Sequence, residues 1–251
     1  MNWSKPLIIA STDLKMAMNV GMVKYGLIMS AAFGPIITIA SILGLAFAIP
    51  ASEVPFVSAM LSPFISSFLA LFAIVPATLI SANSLVGERE QNTLEPLLCT
   101  PLTDMELLWG KILASAVPSL VILAGSTIIT LAVPNILLLI AGKSLLFIPD
   151  LPGLFLIGTS GVVMIFAVIA VMIIVSGRVS RVYEAYQVSS ALILFFMLPM
   201  MLPMATLTEG IPQPAFVWLV NIITLLVAVA ILLVGWLLAL GRFNRDKMIS
   251  Q

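Results

Sequence analysis

The chain has 251 residues, 61% of them hydrophobic and 9% charged, with eleven basic and eleven acidic groups and no histidine. Soluble domains carry about a quarter charged residues, so this chain has too little polar surface to cover a globule and reads as a multispan membrane protein. Zero net charge excludes a basic field for nucleic acid, the missing histidine excludes Ser-His-Asp chemistry and His-ligated zinc, and the lone Cys99 excludes an intrachain disulfide.

In chain order, residues 1–24 mix Lys5, Asp13, Lys15 and Lys24 with apolar groups. They lack the basic start, apolar block and small-residue cleavage site of a signal peptide. They are expected to form an amphipathic segment on the cytoplasmic face, the alternative being a frayed polar tail. Six apolar runs follow, each long enough to cross about 20 residues of bilayer: 25–49, 61–86, 107–133, 153–177, 187–205 and 216–240. Ten of the eleven Lys and Arg fall on the side of the termini and only Lys143 on the other, so both termini are expected in the cytoplasm. The expected fold class is all-α: a polytopic membrane protein with six transmembrane helices and an N-terminal amphipathic helix, forming a single domain over 1–251. Residues 241–251 form its cytoplasmic tail.

Within span 1, Ala40, Gly44 and Ala48 make a small-residue row that permits close helix approach, inside one subunit or across two. Span 2 carries Ser66, Ser67, Thr78, Ser81 and Asn83, span 3 Thr127 and Thr130, and span 6 Asn221 and Thr224. Such groups mostly bond neighbouring helices, but some can line a path, for which Thr78, Ser81 and Asn83 are the candidates. No charged residue falls in the middle of a span, which argues against an ion-coupled carrier. The connection VPNILLLIAGKSLLFIPDLPG after span 3 is apolar enough to dip into the membrane or lie on its outer surface. Its AGKS lacks the earlier glycine of a phosphate-binding loop, so the chain has no nucleotide site of its own. At the end of span 5, Pro199 and Pro203 each remove a backbone donor and predict a broken helix followed by a re-entrant piece, against the alternative of a kink. The methionines Met197, Met200, Met201 and Met204 beside them read as flexible packing; no metal site is expected.

The stretch GEREQNTLEPLLCTPLTDMELLWGK, residues 87–111, stands apart, with five of the eleven acidic residues in an otherwise greasy chain. Glu88, Arg89 and Glu90 close span 2. Leu94, Leu97 and Leu98 then fall at i, i+3 and i+4, the stripe of a short helix that Asn92 or Thr93 can cap, that tolerates Glu95 and Pro96 early, and that Pro101 helps to end. Thr103 with Glu106 predicts a capping box at the start of span 3. A helix this short is marginal alone and needs a partner surface.

The run Glu-Arg-Glu-x-x-Thr-Leu-Glu-x-Leu-Leu-x-Thr-Pro at 88–101, followed by Gly110-Lys111, resembles the signature of the membrane subunits of type II ABC exporters, the ABC type-2 permease family. The segment RVSRVYEAYQ at 178–187 resembles a second cytoplasmic loop of those proteins. The resemblance implies an exporter permease that pairs with a second permease subunit, identical or different, above two cytoplasmic ATPase subunits, in the cell membrane of a prokaryote. ATP and Mg would be bound by the ATPase and no cofactor by this chain. Residues 87–106 would be the coupling segment. Within it Thr93, Leu94, Leu97, Leu98 and Pro101 would form the docking helix, with Glu88, Arg89, Glu90 and Glu95 as its polar contacts. Glu184 and Gln187 would belong to the second contact region. Pro199 and Pro203, at the family's broken span 5, join the possible translocation path. Some members carry a large external domain after span 1; this chain has about ten residues there, which speaks against substrate capture outside. The alternatives are a membrane anchor for an ATPase with a non-transport role, and an ATP-independent channel or carrier.

Overall fold

The computed structural model describes residues 4–50, 52–90, 103–176, 179, 181–202 and 213–242. These residues form helices with no strand among them: α1 (Ser4–Asn19), α2 (Gly21–Ala48), α3 (Val54–Glu90), α4 (Asp104–Ile140), α5 (Leu151–Leu156), α6 (Val162–Ser176), α7 (Val182–Met200) and α8 (Pro214–Arg242). A five-residue π-helical turn, Ile157–Gly161, joins α5 to α6 in one continuous span.

Six stretches are long and apolar enough to cross a membrane: α2, α3, α4, the α5–α6 span, α7 and α8. A helix pairs most of its own backbone groups, which is why it can cross hydrocarbon. Six crossings place Ser4 and Arg242 at one end of the bundle. At 37 residues each, α3 and α4 are about 55 Å long, well beyond the ~30 Å of a bilayer core. They therefore tilt or project, and both run toward the 91–102 connector.

The most enclosed span is α3, which packs against α2, α4, α6 and α7. Its inward positions are small or branched: Ile65, Leu69, Ala70, Ala73, Ile74, Ala77 and Ile80. Small groups let neighbouring helices approach on every side, and close packing is what holds helices together in lipid. The π turn serves the same contact, because a Cβ on Gly161 would stand 3.4 Å from Ala70 Cβ. By contrast α2, α7 and α8 leave most of their apolar surface outside the bundle. Ala40, Gly44 and Ala48 are exposed on α2, and nothing lies within 4 Å of a Cβ built on Gly44. The small-residue row thus serves no contact among the described residues of this chain.

Two boundaries differ from the sequence reading. The third span does not end near 133: α4 continues through Pro134 to Ile140. Only residues 143–150 remain irregular after the 141–142 turn. They are clamped to the end of α4. Asn135 Nδ2 donates to Leu146 O at 3.0 Å, and Leu146 N donates to Asn135 Oδ1 at 2.9 Å. Asp150 then caps α5 by accepting from Gly153 N at 3.0 Å, and its carboxylate also takes the Ser62 hydroxyl of α3. At span 5, Pro199 does not interrupt α7; it sits buried in the last turn, after which the Met201 N–H closes on Met197 O at 2.9 Å. The expected re-entrant piece and Pro203 fall in 203–212, outside the described residues.

Candidate functional site: the α1–α3–α4 hairpin base

The capping box forms as its spacing predicts. Glu106 N donates to Thr103 Oγ1 at 3.3 Å, and Thr103 N donates to Glu106 Oε2 at 3.1 Å. Two orphan donors at the helix start are satisfied reciprocally, so α4 begins sharply where the connector ends.

Against these first turns lies α1. Lys5 Nζ stands 3.8 Å from Glu106 Oε2, and Asp13 meets Lys111, so successive turns of α1 meet successive turns of α4. The approach between them is close because residue 110 is glycine: a Cβ there would stand 2.6 Å from Ile9 Cγ2 and 3.2 Å from Pro6 O. Pro6, Ile9, Asp13 and Ala17 are buried at helical spacing, whereas Leu7, Ile8, Met16 and Met18 are exposed on the other side. The helix thus has one apolar face docked on the bundle and further apolar side chains exposed on the other side.

Asp13 sits on the buried face. Its Oδ2 accepts from Lys111 Nζ at 3.2 Å and from Ser84 Oγ at 2.7 Å. Lys111 Nζ also donates to Ser84 O and Ser84 Oγ, both at 3.1 Å. The side chains of Lys111 and Asp13 are 3% and 6% exposed, so the pair is desolvated, and such charges persist only when paired and hydrogen-bonded. Asp13 is on α1, Ser84 near the end of α3 and Lys111 near the start of α4. One polar cluster therefore joins the interfacial helix to both helices that flank residues 91–102.

In the sequence Lys111 counts among the charges of the cytoplasmic side, and its burial is a finding of the structure. The available signal was Asp13 itself, an acid four residues from Ile9 and from Ala17 on one helical stripe.

Of the expected coupling residues, Glu88, Arg89 and Glu90 form the last turn of α3. Thr93, Leu94, Glu95, Leu97, Leu98 and Pro101 lie outside the described residues. Glu184 and Gln187 are exposed in the first turns of α7, side by side with the buried Ala185 and Tyr186. The candidate path residues are not gathered into one site. The Thr78 hydroxyl is spent on Val75 O at 2.7 Å, Asn83 is half-buried beside Gly87, and Pro199 is on α7. Ser81 is different: its hydroxyl is buried without a hydrogen-bond partner, as are those of Ser67, Ser160 in the π turn, and Tyr186. Other buried polar side chains bond across helices. Thr38 on α2 meets Thr130 on α4 at 2.9 Å, and Asn221 on α8 donates to Pro152 O at 2.9 Å.

Six membrane-length helices among the described residues define a helical multi-pass membrane protein. The family described as ABC-2 family transporter protein matches residues 9–216, and the chain belongs to it. It is therefore a membrane component of an ABC transporter. Among curated proteins, none matches the chain. The family match takes in Asp13, Ser84 and Lys111 and both flanks of the connector.

Proposed function

We propose that this chain is the permease subunit of an ATP-driven exporter, a single domain over residues 1–251 that receives its energy through the segment 87–106. The observation that carries the reading is the Asp13–Ser84–Lys111 cluster. It ties both ends of the connector to α1, so a force on residues 91–102 moves α1, α3 and α4 as one body rather than bending a loose loop. The chemistry of the connector supports the same reading, with Thr93, Leu94, Leu97, Leu98 and Pro101 forming a docking helix and Glu88, Arg89, Glu90 and Glu95 its polar rim. Glu184 and Gln187, exposed at the same end, make the second contact. The partner is a cytoplasmic ATPase that binds ATP and Mg. This chain holds no nucleotide and catalyses no reaction itself. Both termini face the cytoplasm of a prokaryotic cell, and a second permease subunit completes the path. Ser81, with its unpartnered hydroxyl, is the best placed of the path residues, ahead of Thr78, Asn83, Pro199 and Pro203.

The test is co-purification of the chain with its ATPase, followed by Leu97→Asp and Leu98→Asp. Loss of assembly and of coupled transport is expected. Unchanged assembly and transport would remove the docking claim. An ATPase anchor without transport would show ATP hydrolysis that no substrate stimulates, and a channel would work in liposomes without any ATPase.

A further inference from the structure

At the end of the bundle opposite the termini, α2, α3 and α4 do not close on one another. A cavity of about 310 Å³ opens between Ala46 and Ile49 at the end of α2, Val54 at the start of α3, Leu138 of α4, and Lys143 and Ser144. That volume lies within the range of small-molecule sites, about 300–1,000 Å³. A narrow apolar cleft with only about 10 Å³ of free space adjoins it. The cleft shares Ala46, Ile49, Val54 and Leu146 with the cavity and continues past Ile42 and Leu61, deeper between α2 and α3.

The polar side chains of the lining are Lys143 and Ser144. Lys143 is exposed, yet its ammonium is held in place. Nζ donates to Ala46 O at 2.6 Å and stands 4.3 Å from the Phe47 ring centroid. The last carbonyls of a helix lack helical donors and carry partial negative charge, so the end of α2 anchors the cation. An ammonium has three N–H donors, and Ala46 takes one of them. Among the described residues, Lys143 is the only basic group at this end. Among the described residues, Glu53 and Asp150 are the acids of this end. Asp150 is engaged by Ser62 and Gly153, whereas Glu53 is exposed beside Val54. The rim is apolar: Phe47, Ile140, Leu145 and Phe147 are all exposed. In a multi-pass membrane protein such a rim is covered by lipid rather than water.

We propose that this cavity binds a glycerophospholipid of the adjoining leaflet. Its phosphodiester meets the Lys143 ammonium and the Ser144 hydroxyl, and its acyl chains lie against the apolar rim of Phe47, Ile140, Leu145 and Phe147. Charge selects the headgroup and the apolar rim selects a lipid over a soluble anion. The proposal rests on the membrane location of the chain and not on the direction or energy source of transport.

The test uses the detergent-purified full chain in native mass spectrometry, titrated with phosphatidylethanolamine and with diacylglycerol, which lacks the phosphate. Wild type should retain phosphatidylethanolamine in preference to diacylglycerol. Lys143→Gln, at an exposed position, should lower its occupancy about fivefold, the factor expected for one lysine at a membrane surface. Lys143→Arg should retain it, and Val54→Phe, which fills the cavity, should reduce it with the charge intact. Equal occupancy in wild type and Lys143→Gln would overturn the proposal, as would equal retention of diacylglycerol. Displacement of the lipid by millimolar inorganic phosphate would also overturn it, by showing a free-anion site.

Discussion

Removing the Lys111 ammonium tests whether α1 is latched to the hairpin. At 3.2 Å, and with an effective dielectric of about 20, the attraction between Lys111 and Asp13 is ~5 kcal/mol. Desolvating two ions consumes most of that gain, several kcal/mol per ion, so the intact pair adds little net stability. Breaking it is another matter, because Lys111→Met leaves the Asp13 carboxylate buried with one donor from Ser84. Loss of one partner from a buried pair costs about 3–5 kcal/mol, and the surviving Ser84 bond places the expectation near 3. For a chain of this size that is about 6–12 °C in Tm. The loss should be local, with amides of residues 4–19 exchanging about a hundredfold faster in hydrogen-exchange mass spectrometry. The double variant Asp13→Asn with Lys111→Met carries no buried charge and should recover to within about 1 kcal/mol of wild type. Unchanged α1 exchange in Lys111→Met, or a double variant worse than either single one, would refute the reasoning.

Two further outcomes follow from the same packing. Gly110→Ala places a methyl 2.6–2.7 Å from Ile9 side-chain atoms and 3.2 Å from the Pro6 carbonyl, so α1 must shift. A cost of about 1–3 kcal/mol and faster α1 exchange are expected; wild-type stability and exchange would mean that the helices do not touch there. Thr130→Val removes the Thr38–Thr130 contact between α4 and α2. Thr38 also reaches Gly34 O and Pro35 O, so its hydroxyl keeps an acceptor when Thr130 is lost. The loss should be only about 1 kcal/mol, or 2–4 °C in Tm, because hydrogen bonds between membrane helices are individually weak. A drop of 10 °C would show that this bond holds more than two side chains.

What could be read from the chain without its fold was what neighbouring residues decide together. A run of apolar side chains long enough for a bilayer is a local property, so all six spans were legible. The capping box was legible for the same reason, since Thr103 and Glu106 are one helical turn apart. The end of span 3 was misplaced because Pro134 reads as a helix stop, yet α4 continues past it. The coupling residues from Thr93 to Pro101 remain a matter of sequence and resemblance. Which face of each helix meets protein and which meets lipid was not legible, because in a membrane both faces are apolar and hydropathy does not tell them apart. Only the tertiary structure brought Asp13 to Lys111 across 98 residues and Thr38 to Thr130 across 92. It also turned the Ala40–Gly44–Ala48 row outward and left a cavity beside Lys143. Buried charges need partners and small residues allow close approach; which partners and which approach depend on how the helices are arranged in space.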